Sequence, residues 1–131
     1  MSYRWISKRA VLSIHNEQLA QHGGLTGVRD EGLLESAMAR PQNLEAYENA
    51  SLAQCAAAYA FGITRNHPFN DGNKRTGFVT AVTFLLLNNH YINATETDVF
   101  LTVTKLAEGN LSEEELRKWF ELVIIDIGDT E

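Results

Sequence analysis

The sequence predicts an all-α protein, a compact single-domain helical bundle whose functional loop lies between two central buried helices. Three observations carry that expectation. Apolar residues recur three and four positions apart through most of the chain, the period of a helix rather than a strand. Four of the segments so patterned open on Ser, Thr or Asp, and four close near Gly, Asn or Pro, the residue types that start and stop helices. Two of them, from Ser51 to Arg65 and from Phe78 to Leu87, are apolar on nearly every side, which suits helices at the centre of a bundle.

The first helix is expected from Lys8 to His22, with Val11, Leu12, Ile14, Leu19 and Ala20 at helical spacing and Gly23-Gly24 to end it. A short extended piece around Tyr3 to Ile6 precedes it. Asp30 can cap the second helix, which carries Leu33, Leu34, Ala37 and Met38. Pro41 should close it, because proline lacks an N–H and clashes with the preceding turn. The third is rich in alanine, with Leu52, Tyr59, Phe61 and Ile63, and with Cys55 as a small core residue. The fourth opens near Asn73, bears Phe78, Val79, Ala81, Val82, Phe84 and Leu85, and stops near Asn88-Asn89. Thr97 or Asp98 should start the fifth, with Val99, Phe100, Val103, Leu106 and Ala107 on its apolar side and Gly109 at its end. Ser112-Glu113-Glu114-Glu115 has the form of a capping box, opening a last helix with Leu116, Trp119, Phe120 and Val123. Trp5 and Trp119 read as packing aromatics.

The 131 residues, 44% of them hydrophobic, suffice for one domain over 1–131 with a real core, ending in a short acidic tail from about Asp126. A single cysteine cannot form an internal disulfide, so a reducing, cytoplasmic setting is expected. The stretch from Tyr3 to Arg9 lacks the apolar run of a secretory leader, and the apolar segments are broken well short of a membrane span. The net charge of −6 argues against direct nucleic-acid binding. Cations clustered in so acidic a chain are a local feature with a local use.

Such a cluster stands in His67-Pro68-Phe69-Asn70-Asp71-Gly72-Asn73-Lys74-Arg75, between the two most apolar helices. His67 is the side chain here whose ordinary pKa lies near neutrality, so it can take a proton from an attacking hydroxyl. Asp71 supplies an oxygen ligand suited to Mg2+, which keeps several waters and contacts phosphate as well. It also has the chemistry to cap the following helix. Gly72 lets the backbone turn sharply near a ligand. Asn73, Lys74 and Arg75 open a helix whose unpaired N–H groups and positive dipole end favour phosphate. Lys74 adds a point charge and Arg75 a fork able to hold two oxygens, although both are also ordinary solvated helix residues by type. Pro68 disfavours helix at His67, and Phe69 should pack inward to anchor the loop.

These residues resemble the signature of the Fic/Doc superfamily, His-Pro-Phe-x-Asp/Glu-Gly-Asn-Gly/Lys-Arg, at every position from His67 to Arg75. Lys74 stands where AMP-transferring Fic enzymes usually have glycine and death-on-curing (Doc) toxins have lysine. Phe78 stands where the AMP-transferring form tends to carry a second arginine. The stretch from Gly23 to Ala37 is similar to Doc as well. The resemblance implies transfer of the γ-phosphoryl group of ATP to a threonine of elongation factor Tu, with a Phd-like antitoxin restraining the enzyme in trans. His67 would then be the general base and Asp71 the Mg2+ ligand. Gly72 and Asn73 would belong to the phosphate cradle, and Lys74 and Arg75 would neutralise charge during transfer. The resemblance further implies that lysine in place of glycine crowds the usual pocket, so that the nucleotide would bind reversed and present its γ-phosphate. AMP transfer from the same scaffold and a catalytically silent binding module are the alternatives, and the intact His-Asp pair argues against the silent one.

Thr104-Lys105-Leu106-Ala107-Glu108-Gly109 fits the loose inhibitory-helix pattern of self-restrained Fic enzymes, and equally an ordinary helix ending before a C-terminal glycine. His15, His22 and His90 lie outside ligand-like spacing and are expected at the surface or at helix ends.

Overall fold

A computed structural model describes residues 3–128. The described chain forms six helices: α1 (Lys8–His22), α2 (Glu31–Glu48), α3 (Leu52–Asn66), α4 (Asn73–Leu87), α5 (Glu96–Ala107) and α6 (Glu113–Val123). Two three-residue strands, β1 (His90–Ile92) and β2 (Ile124–Asp126), pair antiparallel.

Local chemistry sets most of the helix starts. The side chains of Ser7, Asp30, Ser51, Thr95 and Ser112 each accept the backbone N–H three residues on, satisfying a donor the helix itself leaves unpaired. At Ser112 the capping box is complete, since Glu115 Oε1 also accepts the Ser112 N–H at 2.9 Å.

The fold is the expected mostly helical bundle, with departures in detail. Helix α2 does not stop at Pro41 but runs through it to Glu48, with Asn49 in the left-handed conformation as its end. A buried proline inside a helix costs about 3 kcal/mol. Packing along α3 offsets this: Pro41 is buried, and its carbonyl accepts the Cys55 thiol at 3.7 Å. Helix α5 starts earlier than expected, at Glu96, because the Thr95 hydroxyl and not Thr97 or Asp98 supplies the cap. Phe100, assigned to the inner face of α5, is 68% exposed. The strand pair was not foreseen. Asp126 closes β2 rather than opening a tail, and 129–131, the end of the expected acidic tail, lie outside the described residues. Among the described residues the piece from Tyr3 to Ile6 pairs with no strand; Tyr3 Oη donates to Ala50 O, and the Ile6 N–H donates to Tyr59 Oη.

Helices α3 and α4 lie against each other at the centre, with α2 and α6 packed on α3 and α1 on α4. Tyr59, Ile63, Phe84 and Leu85 are fully buried between them, and Cys55 is buried as expected. Gly77 allows the close approach: a Cβ there would stand 3.0 Å from the Ala60 carbonyl oxygen. Rings fasten both ends of the core, with Trp5 stacked on Phe84 at 5.5 Å and Trp119 edge-on to Phe120 at 5.2 Å. The segment joining α3 to α4 is thus held by two helices that have no room to shift. Among the described residues no helix is long and apolar enough to cross a membrane.

Candidate active site

The loop that carries the cationic cluster leaves α3 at His67. This residue caps the helix in the left-handed conformation, φ 54°, which side-chain-bearing residues seldom adopt. Arg29 secures it from outside the loop. Its Nε donates to the His67 carbonyl at 2.7 Å and its Nη2 to the Asn66 carbonyl at 3.0 Å. A cation here also faces the negative end of α3. The His67 side chain itself remains exposed.

Pro68 and Phe69 turn inward, and Phe69 is completely buried as expected. The stretch between α1 and α2 runs beside them as a single antiparallel bridge, Val28 to Phe69. Arg29 and Asp30 donate their N–H groups to Pro68 O at 2.6 and 3.1 Å, and the Asn70 N–H donates to Gly27 O at 3.2 Å. Asn73 closes the turn. Its Oδ1 accepts the Phe69 N–H and its Nδ2 donates to Phe69 O, both at 3.0 Å and both buried. The Asn73 side chain is therefore committed to the loop, and what it can offer a phosphate is its backbone N–H.

Asp71 does not cap α4; Gly72 does, at φ 76°, a conformation that favours glycine. Helix α4 is the one helix of the six without a side-chain cap bond. Its first N–H groups stay available to an anion. The Asp71 carboxylate accepts the Leu25 N–H on Oδ2 at 2.7 Å, and its backbone carbonyl lies 2.8 Å from His15 Nε2.

His67, Asp71, Gly72, Asn73, Lys74 and Arg75 all line one cleft of about 400 Å³. His22, Gly23 and Gly24 at the end of α1, Thr64 of α3 and Ala107 of α5 complete its wall. The six residues singled out in the sequence are thus brought together. Among the described residues neither Lys74 nor Arg75 enters an ion pair, and the buried Arg75 Nε has no protein partner. Nor do the described residues contain a group of three His, Cys, Asp or Glu side chains able to enclose a metal. One carboxylate beside a helix start with uncapped N–H groups suits Mg2+, which takes a carboxylate or two and fills its shell with water and phosphate oxygens.

His15 overturns its expectation: it is 2% exposed and belongs to the floor of this loop. The signal was present in the stripe Val11, His15, Leu19, each four residues from the next on one face of α1. Arg29 was likewise missed. His22 is exposed at the helix end as expected, yet borders the cleft; His90 is partly buried in β1, its Nδ1 2.6 Å from Asn88 O. In the segment that fits the inhibitory pattern, Ala107 touches the cleft. Glu108 Oε1 accepts from Asn110 at 3.4 Å and pairs with no arginine among the described residues. An apolar groove of about 770 Å³ adjoins the cleft, walled by Phe78, Val79 and Val82 of α4 and Val99, Phe100 and Val103 of α5. His22, Lys74 and Arg75 border both spaces.

Residues 5–85 match the Fic/DOC family. The chain is 37% identical over 86 residues to "Protein kinase doc" of Escherichia phage P1, a match covering 65% of this chain and 68% of that protein. It is 47% identical over 70 residues to "Toxin Doc" of Mycolicibacterium smegmatis, covering 50% of this chain and about half, 52%, of that relative. With the signature loop held between two buried helices and more than half of its length matched, the chain belongs to the Fic/DOC family.

Proposed function

We propose that this chain is a Doc-type toxin that transfers the γ-phosphoryl group of ATP to a threonine hydroxyl of a translation protein, elongation factor Tu being the first candidate. The observation that carries the reading is Lys74. It stands at the uncapped start of α4, in one cleft with His67 and Asp71, in a chain related to a protein kinase doc.

The target hydroxyl oxygen attacks the γ-phosphorus, and its proton passes to the imidazole of His67. The bond from that phosphorus to the β–γ bridging oxygen breaks, and ADP leaves. An exposed His67 suits a hydroxyl that arrives on another protein. The backbone N–H groups of Asn73 and its neighbours, after the turn at Gly72, receive phosphate oxygens. Lys74 and Arg75 neutralise the charge spread over the transferring group. Asp71 would hold Mg2+, which when bound offsets phosphate charge. Phe78 supports phosphoryl over AMP transfer. The position of the second arginine is here a buried ring, 6.0 Å from Trp119 and 6.2 Å from Phe120.

An antitoxin of the Phd kind is the expected partner. The apolar groove beside the cleft, with Lys74 and Arg75 at its border, suits a short amphipathic segment of that antitoxin. The setting that follows from a translation target is the cytoplasm. The test incubates the protein, Mg2+ and elongation factor Tu with ATP labelled at either the α- or the γ-phosphate. Label from γ alone is expected; label from α means AMP transfer and overturns the reading.

A further inference from the structure

We propose that His15 of α1, outside the signature loop, is the positioning residue that sets where the Asp71 carboxylate lies. This rests on the reading above only in taking Asp71 as the metal ligand. His15 is 2% exposed, and its Nε2 stands 2.8 Å from the Asp71 carbonyl oxygen. A peptide carbonyl has no proton to give, so Nε2 carries the hydrogen and donates it. The ring lies flat on Phe69, centroids 3.8 Å apart and planes 9° from parallel. A Cβ at Gly72 would meet the same imidazole at 3.7 Å. One side chain therefore bears on Phe69, Asp71 and Gly72 together.

Both ends of Asp71 are held as a result. His15 fixes its backbone carbonyl, and the Leu25 N–H fixes its carboxylate at 2.7 Å on Oδ2. The next residue is Gly72, the joint with the greatest backbone freedom in the loop. Without the bond from His15, the Asp71–Gly72 peptide is free to rotate, and the carboxylate swings away from Leu25. Stacking alone asks only for a flat ring, and a buried imidazole nitrogen is costly unless it is hydrogen-bonded. The donor, not the ring, is what a packing role leaves unexplained. Val11, fully buried, and Leu19, 8% exposed, flank His15 on the same stripe and tie it to the core.

Two substitutions separate donor from ring. His15→Phe keeps a flat ring over Phe69 but cannot donate, whereas His15→Gln can donate but cannot stack. The first readout is the Leu25 amide proton by NMR, its shift and its exchange rate, which reports the carboxylate position with no ligand present. The second is the affinity for Mg·ATP by calorimetry, with kcat and KM measured separately. In His15→Phe the Leu25 amide should lose its hydrogen-bonded shift and exchange faster, while amides of α3 stay protected. Mg·ATP affinity should fall by about 10- to 100-fold, the usual effect of removing a residue that orients a metal ligand. His15→Gln should restore most of both. The proposal is overturned if His15→Phe leaves the Leu25 amide as in the wild type. It is equally overturned if both variants lose protection throughout α3, which marks a packing residue. Asp71→Asn keeps the two failures apart: undiminished Mg·ATP affinity in that variant removes Asp71 as metal ligand, while the Leu25 amide still decides what His15 does.

Discussion

Asn73→Ala should destabilise the protein well beyond what its place at the start of a helix suggests. The side chain is 4% exposed and makes two bonds to one residue, 3.0 Å to each of the Phe69 N–H and C=O. Truncation leaves both backbone groups buried with no partner, at roughly 1–3 kcal/mol each. Alanine recovers about 0.5 kcal/mol through its better helix propensity. The net loss is about 1.5–5.5 kcal/mol, a large part of the 5–15 kcal/mol typical of a domain. Urea unfolding followed by the fluorescence of Trp5 and Trp119 measures it, as a lower midpoint at unchanged slope. Asn73→Asp sharpens the test, since it keeps the acceptor for the Phe69 N–H but sets an oxygen against the Phe69 carbonyl. It should be at least as unstable as the alanine variant. A loss below about 0.5 kcal/mol for alanine, within the scatter of ordinary surface substitutions, would refute the clasp. So would an aspartate variant as stable as the wild type.

His67→Ala should lower transfer by about 10²- to 10⁴-fold with the thermal transition nearly unmoved, because the side chain is exposed; retained turnover would remove it as the base. Gly77→Ala places a Cβ 3.0 Å from the Ala60 carbonyl oxygen and 3.1 Å from Thr64 Oγ1, so α4 must back away from α3. That overpacking should cost about 1–3 kcal/mol in denaturant unfolding. Burial pushes the Cys55 thiol and the Tyr59 phenol each up to about 12, with the Ile6 N–H partly offsetting the rise at Tyr59. Both folded values lie above the unfolded ones, so the folded state keeps protons that the unfolded chain releases. Stability should then be flat through neutrality and fall as pH rises from about 9, the unfolded thiol value, toward 12. Urea midpoints across that range check it, and Cys55→Ala should delay the onset toward the phenol value.

What the sequence disclosed was what is decided locally. Ser7, Ser51 and Ser112 stand next to the groups they cap, so α1, α3 and α6 were legible to within a residue or so. The signature loop is contiguous, so its residues could be named before any fold was known. The rest depends on distance. His15 meets Asp71 across 56 positions, and Arg29 meets His67 across 38. The stripe Val11, His15, Leu19 marks His15 as buried and Arg29 lies in the Doc-like stretch, but neither signal names the partner that makes the residue part of the site. Pro41 was a sound stop signal that packing on α3 overrode. Strands of three residues are too short to show a period, which hid the β1–β2 pair. Periodicity marked Phe100 as apolar without telling whether it meets the core or a groove. For Asn73 the residue type was right for hydrogen bonding, but its partner was not readable.

The contacts around the loop divide its chemical groups, rather than its residues, into two sets with almost no overlap. Backbone groups and buried side chains do the holding: the carbonyls of Asn66 and His67 on Arg29, Pro68 O on two N–H groups, Phe69 on Asn73, Asp71 O on His15. The groups assigned to chemistry stay out of it. Among the described residues the His67 imidazole, the Lys74 ammonium and the Arg75 guanidinium make no hydrogen bond or ion pair with protein. His67 and Asn73 hold the loop with one group and leave another free, whereas the Asp71 carboxylate itself falls in both sets, with one oxygen on Leu25. A site organised this way is rigid before substrate arrives and still has its charges unused, the condition under which fixed dipoles and cations lower a barrier most. Mutation should divide the same way. Losses at Asn73 or Gly77 should appear first in stability, and losses at His67 or Lys74 in turnover alone. Asp71 should show both, because removing its carboxylate takes away what is proposed to be the metal ligand and also releases the Leu25 loop.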